Sequence, residues 1–150
     1  MRRCAAAIAA LFLLWGPATA DKPEQILNLT EKVADWQIQH LETAYHPAAA
    51  NDQASPRGWV YGALFDGMTA LADVSSAPRF TEAVIAHGER EHWALELRPF
   101  HADDYAIGRS WVWAYAETGR HEAIAALQAR FDAIMTAAPK GPAKEALKEY

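Results

Sequence analysis

One cysteine, Cys4, is all that the 150 residues contain, and it lies at the extreme N-terminus. Residues 1–20 begin with Arg2 and Arg3, continue through an apolar run from Ala5 to Trp15 and end in Ala18-Thr19-Ala20. A charged start, a short apolar middle and a small-residue ending make the three-part layout of a secretory signal peptide, with cleavage expected before Asp21. The alternative, a membrane anchor, needs about 20 apolar residues in a row, and this run is shorter. A lipid-attachment cysteine would follow the apolar run, whereas Cys4 precedes it. The mature chain is therefore expected to be free of cysteine, periplasmic or secreted, and detached from the membrane. Disulfide staples, zinc–thiolate sites and cysteine nucleophiles are excluded with it.

Positive charge is also scarce. Loss of Arg2 and Arg3 takes the 14 basic residues to 12 against 19 acidic ones, a net charge of −7. Nucleic-acid backbones are bound by clustered positive charge, so no nucleic-acid partner is expected. No Gly-rich phosphate loop, no Gly-x-Ser-x-Gly elbow and no His-Glu-x-x-His pair occurs. His87, Glu91 and His92 are the nearest approach to a metal site, and their spacing fits a solvated charged face better. No metal or cofactor is expected.

What the sequence has is helical periodicity. From Pro23, a residue suited to a first helical turn, Ile26, Leu29, Val33, Trp36 and Leu41 recur at mostly three- and four-residue steps, and His46-Pro47 ends the run. A loop of small and polar residues spans Pro47–Pro56. A second helix is predicted from about Trp59 to Ala72, with Val60, Leu64, Met68 and Leu71 in register. Gly62 and Gly67 inside it each cost about 1 kcal/mol against alanine, which implies close packing or binding at the backbone. After Ser75-Ser76-Ala77-Pro78 a third helix buries Phe80, Val84 and Ile85. A fourth opens at Ala102-Asp103-Asp104, where carboxylates suit the helix dipole, and carries Ile107, Trp111, Ala114 and Tyr115. Gly119 is placed to cap it in a left-handed conformation. The fifth has Ile124, Leu127, Phe131, Ile134 and Met135, and a sixth begins at Ala143.

No strand is recognisable, so the predicted class is all-α. Leu71-Ala72-Asp73-Val74 closes its helix much as Tyr115-Ala116-Glu117-Thr118 does 44 positions later. Repetition at this period points to stacked antiparallel helical hairpins, each needing neighbours to bury its apolar face. The sixth helix has no partner in the sequence.

Two segments concentrate polar and aromatic chemistry. One is Arg98-Pro99-Phe100-His101-Ala102-Asp103-Asp104-Tyr105, with two carboxylates and a histidine at a helix start. Either aspartate could instead be a simple N-cap, a role worth about 1 kcal/mol. The other is Gly58-Trp59-Val60-Tyr61-Gly62, where aromatic faces beside glycines suit a sugar ring. Ordinary core packing is the competing reading there, and it applies more strongly to Trp111 and Trp113.

These segments, with Gly108 five residues after Asp103 and Tyr115-Ala116-Glu117-Thr118-Gly119, resemble the unsaturated glucuronyl and rhamnogalacturonyl hydrolases of glycoside hydrolase families 88 and 105. The similarity runs from about Val33 to Met135. It implies an (α/α)6 toroid, of which residues 21–150 would form the N-terminal half, behind the signal peptide 1–20. It also implies, as substrate, an oligosaccharide left by a polysaccharide lyase, with a terminal 4,5-unsaturated uronic acid, and a reaction by enol-ether hydration. Asp103 then matches the first active-site aspartate, holding ring hydroxyls. Trp59 and Tyr61 would form a sugar platform, with His101 and Asp104 in support. The second aspartate of the resemblance, in a Trp-x-Asp segment followed by Phe-Met, has no counterpart here, so the chain alone is expected to be inactive. The competing function is a non-enzymatic exported helical-repeat interaction module.

Overall fold

The computed structural model describes residues 22–44 and 55–136. The expected signal peptide, most of the 47–56 loop and the sixth helix fall outside those residues. Among the described residues every regular element is helical: α1 (Pro23–Ala44), α2 (Trp59–Val74), α3 (Arg79–Arg90), a 3-10 turn (Ala102–Tyr105), α4 (Gly108–Thr118) and α5 (Glu122–Thr136). None of the described helices is long and apolar enough to cross a membrane. Short turns join α2 to α3 and α4 to α5, which makes two antiparallel hairpins, with α2 packed against α1, α3, α4 and the 3-10 turn.

The 44-residue echo is visible in how the two hairpins turn. The Ser75 amide donates to the Leu71 carbonyl at 2.9 Å, and the Gly119 amide donates to the Tyr115 carbonyl at 2.8 Å. Gly119 does so in the left-handed region, at φ 69°, where a β-carbon would be strained.

The core is built from Phe65, Met68 and Leu71 of α2, Phe80 and Val84 of α3, and Ile107, Trp111 and Ala114 of α4. Two bulky residues, His92 and Trp93, take positive φ values of 55° and 56°, a conformation that costs each roughly 1–2 kcal/mol. The bend folds the Trp93 ring back over Gly88, where a β-carbon would lie 2.0 Å from the ring. Trp93 then meets Trp111 edge to face at 5.2 Å. Burial of two indoles, each worth a few kcal/mol, offsets the backbone strain and ends α3.

Two expectations are corrected. Of the apolar positions of α1 expected inside, Ile26, Leu29, Val33 and Trp36 are exposed; Leu41 is buried as expected, together with Ala34, and Leu27 and Ile38 pack against the core. Those four also share a helical face, so α1 is apolar on two sides and only one of them meets α2. An apolar groove of about 520 Å³ between α1 and α2 is lined by Pro23, Ile26, Leu27, Leu71 and Val74. The fourth helix, secondly, does not open at Ala102. A 3-10 turn comes first and α4 begins at Gly108.

Candidate functional site at the starts of α2 and α4

The beginning of α2 and the 3-10 turn lie side by side because Gly62 has no side chain. A β-carbon there would stand 2.5 Å from the Ala106 Cβ and 2.7 Å from the Ile107 amide nitrogen. Trp59 is one helical turn before Gly62, and Asp103 is three residues before Ala106. The two expected site elements are thus brought together by backbone contact, the inference drawn from glycine at this position. Gly67 makes no such contact, since its β-carbon would meet open space.

Within this region the expected site residues divide. Trp59 is 41% exposed and the Asp103 side chain 51% exposed, so both face solvent. His101 sits between the carboxylates, its Nδ1 3.9 Å from Asp103 Oδ2 and 3.7 Å from Asp104 Oδ1. That nitrogen is buried with no hydrogen-bond partner. It lies one small adjustment away from either carboxylate.

Asp104 is different. Its side chain is 1% exposed, and its oxygens accept the Arg98 amide at 2.7 Å and the Arg98 guanidinium at 2.6–3.2 Å. Burial alone would raise this carboxyl, but the hydrogen bonds and charge of Arg98, with His101 nearby, outweigh that and hold it below the usual carboxylate range. Asp104 is therefore a fixed anion that closes the 98–104 loop, not a group facing substrate. Neither aspartate caps a helix through its side chain, because the 3-10 turn and α4 both begin without a side-chain cap.

Tyr61 is also corrected. It is 6% exposed, its hydroxyl donates to the Leu41 carbonyl at 3.0 Å, and its ring stacks on His87 at 5.5 Å. Two positions apart on a helix, Trp59 and Tyr61 point about 200° apart, so only one of them can face the mouth. Trp111 and Trp113 pack between helices as expected, their indole N–H groups donating to the Ala94 carbonyl and to Asp73. His87 is buried with both ring nitrogens engaged. Among the described residues no group of three His, Cys, Asp or Glu side chains is arranged to hold a metal.

Residues not singled out in the sequence tie the neighbouring segments together. Arg57, just before α2, lies 3.5 Å from Glu96, whose carboxylate also accepts the Ser55 hydroxyl. Arg130 of α5 donates to the Glu96 carbonyl at 2.8 Å. Tyr105 donates to the Pro99 carbonyl and stacks on Phe131 at 5.3 Å. The 93–101 segment is thus tied to the turn before α2 and to α5. The one available signal was the charged pair Glu96 and Arg98, two positions apart, where the helical pattern breaks.

Residues 29–147, most of the chain, match Glycosyl Hydrolase Family 88. The chain belongs to that family. A relative in Alteromonas sp. (strain LOR), named an unsaturated 3S-rhamnoglycuronyl hydrolase, is 29% identical over 116 residues, covering 75% of this chain. The same alignment covers 28% of the relative, so this family 88 chain spans less than a third of that relative's length. No solved structure matches it significantly. The all-α hairpin array agrees with the α/α toroid architecture of the family.

Proposed function

We propose that this chain supplies part of the active domain of a glycoside hydrolase acting on oligosaccharides with a terminal 4,5-unsaturated uronic acid. Membership of family 88 supports the hydrolase class, and the name of the Alteromonas relative supports the unsaturated uronide. The observation that supports the site is the close approach of Gly62 to Ala106, which sets the start of α2 against the 3-10 turn; Trp59 and Asp103, both exposed, belong to those two elements.

The chemistry proceeds by hydration of an enol ether. A carboxylic acid delivers a proton to C4, the electron pair of the C4–C5 double bond takes it up, and positive charge develops at C5 and the ring oxygen. A water deprotonated by a base adds to C5, and the hemiketal opens to release the remaining sugar. This route differs from the two-carboxylate displacement of ordinary glycosidases but still depends on a positioned acid and base. In this scheme Asp103 holds ring hydroxyls, His101 lies beside it in support, and Trp59 packs against the apolar face of the sugar. Asp104 is given no proton-transfer role, because its carboxylate is buried and its oxygens are taken by Arg98.

The test uses a protein containing the complete domain, offered an unsaturated disaccharide and its saturated counterpart. Loss of the ultraviolet absorbance of the conjugated uronide, with no cleavage of the saturated sugar, is the expected result. Equal cleavage of both would show direct displacement instead. The exposed apolar face of α1 is the observation that favours the second reading, an interaction module. Under that reading neither sugar is touched.

Export is part of the same proposal. Intact mass of periplasmic or secreted material is expected to begin at Asp21, and a species still starting at Met1 would remove it.

A further inference from the structure

His87 plays no part in the chemistry above, yet it is among the most completely buried polar side chains of the described residues, at 1% exposure. Its ring lies flat against Phe65 at 4.1 Å and Tyr61 at 5.5 Å, with Trp111 tilted over it at 5.8 Å. The Arg90 guanidinium reaches Nδ1 at 2.8 Å. Arginine can only donate, so Nδ1 accepts, and the ring proton must sit on Nε2. From there it is donated to the Pro56 carbonyl at 2.9 Å. Pro56 belongs to the turn that leads into α2, closed by the Gly58 amide on the Ser55 carbonyl at 2.9 Å. One neutral imidazole thus pins the segment just before Trp59 to α3.

We propose that His87 is a positioning residue, an acid-sensitive latch that holds the 55–58 turn, and with it Trp59, at the candidate mouth. A second proton would have to go on Nδ1, the position already facing Arg90. The two donors would then oppose each other inside an aromatic cage. The charged and titratable neighbours give no relief. On α3, Arg90 is itself 3.6 Å from Glu91. On α2, Tyr61 spends its hydroxyl on Leu41, and α4 brings only the indole of Trp111. In the turn, Arg57 is a second cation, paired with Glu96. Protonation is relieved when the ring leaves the cage and lets go of Pro56.

Burial, chiefly, and the Arg90 charge lower the His87 pKa from 6.5 to about 4, against the raising effect of the Pro56 bond. A group that protonates near 4 when latched and near 6.5 when released favours release as pH falls. The linkage amounts to about a hundredfold between pH 7 and pH 4. That the turn carries a sugar platform rests on the functional reading above. The latch itself does not, and its test needs no substrate.

Residue-resolved amide hydrogen exchange on the 150-residue chain, corrected for intrinsic rates, follows the latch from pH 7 to pH 4. Protection at Gly58 is expected to fall about a hundredfold and to stay well below that of Trp111, bonded to the Ile107 carbonyl, at every pH. In His87→Phe, which keeps the ring stack, Gly58 protection should be low at every pH. In Arg90→Gln, which removes the opposing charge, the fall should move to higher pH. The proposal is overturned if Gly58 and Trp111 share one protection factor at every pH, since the turn would then open only on global unfolding. It is equally overturned if Gly58 protection is independent of pH, or if Arg90→Gln leaves its midpoint unmoved.

Discussion

Alanine at Gly62 and alanine at Gly67 should have opposite effects, although both glycines sit inside α2. Replacing a helix-interior glycine removes about 1 kcal/mol of conformational penalty. At Gly67 nothing lies within 4 Å of the new methyl, so that gain stands and Gly67→Ala should stabilise by roughly 0.5–1 kcal/mol. At Gly62 the methyl would be driven to 2.7 Å from backbone atoms of Ala106 and Ile107. Backbone cannot swing aside as a side-chain tip can, so α2 must back away from the 3-10 turn. Overpacking of this kind costs about 1–3 kcal/mol, and contact with backbone puts it at the upper end. The net effect is a loss of about 2 kcal/mol. Urea unfolding reads both changes as shifts in midpoint at constant slope. If Gly62→Ala proves as stable as the parent, the apposition of α2 and the 3-10 turn is wrong, and the candidate site loses its framework.

Three further outcomes follow from the same structure. Arg98→Ala strands the buried Asp104 carboxylate and should cost roughly 3 kcal/mol in urea unfolding at neutral pH. Because the Asp104 carboxyl is depressed in the fold, the stability it contributes is present above the ordinary carboxylate range and disappears as pH falls through its folded value, so parent and variant should converge in acid. For His87 the sign is also toward acid loss but the window differs: with a folded pKa of about 4 against 6.5, the neutral ring stabilises fully above 6.5, and about 3 kcal/mol is lost by pH 4. Urea stability of His87→Phe, compared across that range, should lack this component. Finally, Leu29→Glu and Val33→Lys on the exposed face of α1 should reduce self-association in sedimentation without lowering the unfolding midpoint, as expected where an apolar patch meets water.

The five described helices, the hairpin turns and the repeat were legible because each rests on local signals: apolar periodicity, Gly119, and matched helix ends 44 residues apart. Choices between near neighbours were not. α1 has apolar residues on two faces, and periodicity cannot say which one finds a partner. Asp103 and Asp104 are adjacent in a 3-10 turn, where successive side chains diverge by about 120°. One faces water and the other meets Arg98, and only the path of the 98–104 loop decides which. Trp59 and Tyr61 divide in the same way across α2. Gly62 and Gly67 look equivalent in sequence, yet only Gly62 has backbone against it. The start of α4 was misplaced because Ala102-Asp103-Asp104 has the composition of a helix cap while its carboxylate is taken by Arg98.

The central claim is that Trp59 and Asp103 belong to one sugar-binding mouth. Steady-state hydration of an unsaturated disaccharide by a protein containing the complete domain tests it most directly, with Asp103→Asn and Trp59→Ala measured beside the parent. Asp103→Asn should lower kcat/KM by roughly ten- to a hundredfold, as for loss of a charged hydrogen bond to ring hydroxyls worth about 1.5–3 kcal/mol. Trp59→Ala should act mainly on KM, by about tenfold, the equivalent of about 1.4 kcal/mol of stacking. Both variants should unfold at the parent's urea midpoint. If Asp103→Asn turns over at the parent's rate, Asp103 is an exposed loop carboxylate and the mouth at the starts of α2 and α4 is not the active site.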